Sequence, residues 1–101
     1  MTTLRIQHAV TDFGLWQTAF ARFAPARAQS GVRAQRVYRP LDDPRYVLID
    51  LDFDSPGEAE RFLRFLETTV WASRDSSPAL DGEPQTRLLD RAEIAEPAPA
   101  R

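Results

Sequence analysis

Apolar and polar residues alternate from Thr3 to Ala9, with Leu4, Ile6 and His8 on one side and Arg5, Gln7 and Ala9 on the other. A period of two marks a strand with one buried face. Asp12 then stands where a helix N-cap belongs, and Phe13, Trp16, Phe20 and Phe23 follow at spacings of three, four and three. Those spacings lay four aromatic rings on one helical stripe, which predicts core. Pro25 must bend or end this helix, because proline lacks a backbone donor and clashes with the preceding turn. A bent continuation would reach Gln29, and Gly31 supplies the left-handed stop that helix C-termini favour.

Val32 to Arg39 and Tyr46 to Phe53 are two β-rich runs joined by Pro40-Leu-Asp-Asp-Pro-Arg45, whose proline and aspartate residues favour a loop. They predict a hairpin. Pairing residue 39 with residue 46 sets Val37 opposite Leu48, Gln35 opposite Asp50 and Arg33 opposite Asp52, a largely polar face. The other face carries Val32, Ala34, Arg36 and Tyr38 against Val47, Ile49, Leu51 and Phe53, and is expected to look inward. Arg36 is the misfit on it.

Ser55-Pro-Gly-Glu58 matches the capping box, with proline at the first helical position. Ala59, Phe62, Leu63, Leu66 and Val70 form the apolar stripe of the helix it opens, and Phe65 lies beside that stripe. From Thr69 to Pro84 the chain is turn-rich and contains Trp71, so a loop with at most one helical turn is expected. Gln85 to Asp90 reads as a short last strand. Residues 92–101 offer little to bury and are expected to be a disordered Pro/Ala-rich tail after one domain spanning residues 1–91. No internal repeat is present.

The order is therefore β-α-β-β-α-β, an α+β ferredoxin-like arrangement with a four-stranded antiparallel-type sheet and both helices on one face. Right-handed crossovers are expected to set strands one and three parallel at its centre. The face bearing Arg5, Gln7, Arg33, Gln35, Asp50 and Asp52 would remain uncovered, as antiparallel sheets allow.

Composition changes this picture little. The 101 residues include no cysteine and carry a net charge of −2, which fits one soluble domain folding without disulfides or thiolate metal sites. All thirteen basic residues are arginine, and lysine and asparagine are absent, a pattern that GC-rich coding produces by itself. An isoelectric point near 5.3 argues against a nucleic-acid partner. No apolar run approaches the ~20 residues of a membrane span, and Met1 to Gln7 lacks signal-peptide character, so no membrane partner and a cytoplasmic location are expected.

The string His8-x-Val10-x-Asp12-Phe13-x-x-Trp16, the Val32 to Tyr38 run, the Asp42-Asp43-Pro44 turn, the Tyr46 to Phe53 run and the Ser-Pro-capped helix resemble the antibiotic biosynthesis monooxygenase-like branch of the dimeric α+β barrel superfamily. The resemblance covers about residues 3–91. It implies a homodimer packed sheet against sheet, with a pocket for a small aromatic or polyketide-like molecule between each sheet and its helices. It also implies a choice between a cofactor-independent monooxygenase or cyclase and a non-catalytic ligand-binding or interaction protein, since fold does not dictate function. The haem-degrading members rely on an Asn, a Trp and a His; this chain has no asparagine, and its one histidine is on the first strand.

His8, the sole histidine, is expected at the inward-facing end of the first strand. It could take a proton from a phenol or enol there, or be tied to backbone at the core rim. Arg36 on an apolar face could hold a negative charge, or pair internally with a carboxylate. Trp16, Tyr38 and Trp71 are candidate substrate contacts, with plain packing as the alternative for Trp16 and Tyr38 and a dimer contact for Trp71. Asp50 and Asp52 share a face but are explained by cross-strand partners. Phosphate-loop, nucleophile-elbow and metal-ligand patterns are missing, so neither a metal nor a cofactor is expected.

Overall fold

The computed structural model describes residues 1–95. Four strands, β1 (Thr2–Val10), β2 (Ala34–Tyr38), β3 (Tyr46–Phe53) and β4 (Leu80–Asp90), form one sheet in the order β2-β3-β1-β4. The helices α1 (Phe13–Arg22), α2 (Ala24–Gln29) and α3 (Pro56–Phe65), the last extended by a π-helical turn over Leu66–Val70, belong to the same layer over one face of it. This is the expected ferredoxin-like arrangement. Among the described residues no helix is long and apolar enough to cross a membrane. Most of the expected tail, residues 96–101, lies outside the described residues.

Strand direction corrects one expectation. β1 and β3 are antiparallel neighbours, with Leu4 opposite Leu51 and Ile6 opposite Ile49. The helical crossover makes β1 and β2 the parallel pair, and the hairpin then reverses β3, which inserts between them.

The hairpin register corrects another. Val37 faces Ile49, Arg36 faces Asp50 and Ala34 faces Asp52, one residue away from the register expected from equal loop ends. Because side chains alternate, that single slip turns the whole of β2 over. Arg36 and Tyr38 point to the uncovered face, while Gln35 and Val37 point to the helices. The slip places Arg36 beside two aspartates instead of against apolar β3, which removes the misfit.

Both helix starts are capped as expected. Asp12 accepts a hydrogen bond from the Leu15 amide at 2.8 Å, and Ser55 accepts one from the Glu58 amide at 3.3 Å, each satisfying an amide with no partner inside the helix. Pro25 neither stops the chain nor bends one long helix. α1 ends at Arg22, and Pro25 sits in the first turn of α2, where a missing N–H costs nothing. Gly31, at φ +93°, ends α2.

The last strand is longer than expected. β4 begins at Leu80, so the end of the stretch read as loop belongs to it, with an irregularity in which Gly82 to Pro84 separate Asp81, opposite Ala9, from Gln85, opposite Gln7. Gly82 has φ +79° and Pro84 cannot donate to the ladder, the two residue types a bulged edge strand accepts.

The core lies between sheet and helices. Leu4, Leu51, Phe53 and Val47 are essentially inaccessible, and Phe62, Ala59 and Trp16 close over them. Phe13, Trp16 and Phe20 line up along α1 with ring centroids 5.6 and 4.8 Å apart, so the expected aromatic stripe is continuous and half-buried.

Candidate functional site

Packing between sheet and helices leaves an apolar cavity of about 70 Å³. One water needs ~10–15 Å³ on this measure, so the space equals several waters; it is about half of the ~150 Å³ that holds a benzene ring, so a single ring enters as the lining side chains give way. Ile6, Ile49 and Leu51 form its floor on the sheet, and Trp16, Phe20 and Phe23 its wall on α1. Leu66, Val70 and Trp71 approach from the π-helical turn, whose i→i+5 bond from the Trp71 amide to the Leu66 carbonyl is 2.7 Å long. Such turns rotate the side chains that follow them relative to a regular helix. Ser76, Ser77 and Ala79 complete the rim, in a loop that Arg22 holds to α1 by donating to the Asp75 carbonyl at 3.1 Å.

Few polar groups reach this space, and His8 is one. Its position in β1 turns the ring toward the helices, where it is 4% exposed. Nδ1 lies 2.9 Å from the Ala9 carbonyl oxygen. A carbonyl only accepts, so Nδ1 carries the proton and Nε2 keeps its lone pair. Nε2 has no protein partner among the described residues, yet no fully buried side-chain nitrogen there lacks one; Nε2 is therefore open to the cavity. Burial pushes the imidazole below its usual 6.5, only partly opposed by the Ala9 bond. The ring is neutral at pH 7, the state a proton acceptor requires.

Arg27, on α2, also lines the cavity and is 6% exposed. Its Nε donates to Gln35 Oε1 at 2.9 Å, its Nη1 donates to the Phe20 carbonyl at 2.7 Å, and Cζ sits 3.6 Å from the Phe20 ring centroid. Sequence reasoning passed over Arg27 because the aromatic stripe was followed only to Phe23. The signal was present: Phe20, Phe23 and Arg27 continue the stripe at spacings of three and four.

Of the five residues singled out from the sequence, His8, Trp16 and Trp71 meet at this cavity. Arg36 and Tyr38 do not. Arg36 lies on the opposite face of the sheet, donating from Nη1 and Nη2 to the two oxygens of Asp52, both at 2.9 Å. That hydrogen-bonded pairing holds the Arg36 guanidinium above its usual pKa and the Asp52 carboxyl below its own, with Thr3 adding a 2.7 Å bond to Asp52. The internal ion pair is thus the observed state of Arg36. Tyr38 is half exposed beside it. On the same face Asp50, 4% exposed, accepts from Arg5 Nε and Nη2 at 2.8 and 2.9 Å.

No protein-family model and no curated protein matches the sequence. Solved structures match the fold. The cofactor-independent oxygenase SnoaB from Streptomyces nogalater superposes with a TM-score of 0.72 at 15% identity, over 92% of this chain and 94% of that one. A protein from Deinococcus radiodurans provisionally named an antibiotic biosynthesis monooxygenase gives 0.69 at 16% identity, over 95% and 97%. One of the same description from Bordetella bronchiseptica gives 0.70 at 12%, over 91% and 98%. The chain thus has the fold of the antibiotic biosynthesis monooxygenase-like proteins, and at these identities the likeness is one of fold.

Proposed function

We propose that a chain with this fold binds a small aromatic, polyketide-like molecule in the cavity between sheet and helices, and that His8 takes a proton from it. The observation that carries this is a neutral imidazole with a free Nε2 in a mainly apolar, ring-lined space. Trp16 and Trp71 are the ring contacts in this reading, because small-molecule sites combine apolar walls with a few placed polar groups. The proton leaves a phenol or enol for Nε2, and the electron pair stays on the substrate. In a cofactor-independent oxygenase that anion transfers its electrons to dioxygen and forms a carbon–oxygen bond; in a cyclase it attacks a carbon of the same molecule. SnoaB, of like fold, supports the first. Arg36 and Tyr38 have no part in the chemistry of this cavity.

The test compares wild type with His8→Ala on phenols, quinols and polyketide-like acids, by thermal shift and oxygen uptake. A proton acceptor contributes about 10²–10⁴-fold to turnover, so the variant should lose that much rate while ligand affinity stays within about threefold. Binding without turnover in wild type would leave a non-catalytic ligand-binding protein. The absence of any ligand-induced rise in melting temperature would end the cavity reading.

The resemblance in fold also supports a homodimer through the uncovered sheet face. There Arg5–Asp50 and Arg36–Asp52 neutralise each other within one chain, and half-exposed Tyr38 stands beside them. A charge-balanced surface of this kind suits an isologous two-fold contact.

A further inference from the structure

Arg27 brings a formal positive charge into the cavity wall, and among the described residues no carboxylate answers it. The ion pairs among the described residues are Arg5–Asp50, Arg33–Asp54 and Arg36–Asp52, and no acidic oxygen lies within 4.0 Å of Arg27. Its partners are neutral: the Gln35 amide oxygen, the Phe20 carbonyl and the Phe20 ring face. A guanidinium has five N–H donors and stays protonated in proteins. Two of the five are engaged, so three remain on a residue that is 6% exposed, and Nη2, without a protein partner among the described residues, is not fully enclosed. Every other arginine with a resolved ionisation shift is raised by a carboxylate, whereas burial lowers Arg27 with nothing opposing it.

Buried charge without a counter-ion is costly and rare. A ligand that arrives already anionic would compensate it. At pH 7 a phenol, with a pKa near ~10, is neutral, whereas a carboxylic acid, near ~4, is ionised. Planar carboxylates also match the guanidinium fork with two parallel hydrogen bonds.

We infer that Arg27 is the anion-binding group of the cavity and that the ligand is an aryl carboxylate, its ring held among Trp16, Phe20 and Trp71 and its carboxylate on the remaining N–H groups of Arg27. This rests on the reading of the cavity as a ligand site and adds the ligand's charge and orientation. It also moves the charge-holding role expected of Arg36 to a residue on the correct face of the sheet.

Calorimetric titration of the full chain with benzoate and with its neutral isostere benzamide, near pH 7.5, tests the inference. Hydrogen bonds to a charged group predict that wild type favours the acid by about 10- to 100-fold. Arg27→Gln should bring the ratio to about one while leaving amide affinity nearly unchanged, and Arg36→Gln should keep the wild-type ratio. Equal binding of acid and amide by wild type overturns the anion site and leaves the cavity reading standing. So does an Arg27→Gln protein that melts earlier yet keeps the preference, since Arg27 would then only clip α2 to α1 and β2. Binding of neither compound by folded wild type overturns both readings. Should Arg27→Gln fail to fold, the wild-type ratio together with the Arg36→Gln control decides.

Discussion

His8 shows how one buried side chain couples ionisation to stability. Its folded pKa lies below 6.5, chiefly because burial disfavours the charged ring. As pH falls, the unfolded chain therefore takes the proton first. The stability His8 permits is complete above about pH 6.5 and is lost as pH drops through 6.5 toward the lower folded value. Melting curves between roughly pH 8 and 5.5 should show Tm falling on the acid side, and His8→Gln should flatten that slope. An unchanged slope would assign the titration to another group. That an inward imidazole ends the first strand was legible from alternation alone; which nitrogen is free was not, because the Ala9 carbonyl that selects the tautomer is placed by backbone geometry.

The two capped helices, α1 and α3, began where local chemistry said they should, since a cap acts within one turn. Asp12→Ala should cost about 1 kcal/mol in chemical denaturation, because the Leu15 amide loses its acceptor. A change under about 0.3 kcal/mol would mean that water replaces the cap without penalty. Register is different, for it depends on partners fifteen or so residues away. The loop from Arg39 to Arg45 has no sequence feature that chooses between two pairings one residue apart. The choice follows from Arg36 reaching Asp52 and from Gln35 reaching Arg27, neither of which is a neighbour in the chain. A double-mutant cycle on Arg36 and Asp52 should give a favourable coupling, while Gln35 with Asp50 should give none. Coupling of Gln35 with Asp50 instead would indicate the register that turns Arg36 inward. β4 makes the same point: Asp81-Gly82 and Pro84 look like a terminated strand locally, and only the pairing of Asp81 with Ala9 continues it.

Across the whole molecule the sheet separates two environments. One face, under the helices, holds the ring-lined cavity with His8 and Arg27; the other holds balanced ion pairs and an exposed Tyr38. If a second copy covers the latter, light scattering should report twice the 11.5 kDa chain mass. Leu89 of β4, opposite Thr3, shares that face, and Tyr38→Asp combined with Leu89→Asp should yield monomers by adding unpaired charge to it. A wild-type monomer at high micromolar concentration would defeat the dimer proposal. Because the cavity lies behind the sheet from this face, the monomeric variant should still bind ligand.

What the amino-acid sequence by itself determined is the set of elements and their order: the alternation of the first strand, the aromatic stripe, the two caps and the β-rich hairpin runs are all short-range patterns, and short-range sterics and hydrogen bonding decide them. The tertiary structure alone decided which face of β2 looks inward, how far β4 extends, and which arginine enters the cavity. Each of those is a contact between distant segments, and a period of two turns a one-residue difference in pairing into the opposite face of the sheet. Arg36 left its expected inward place for that reason, and the arginine that lines the cavity is Arg27 of α2.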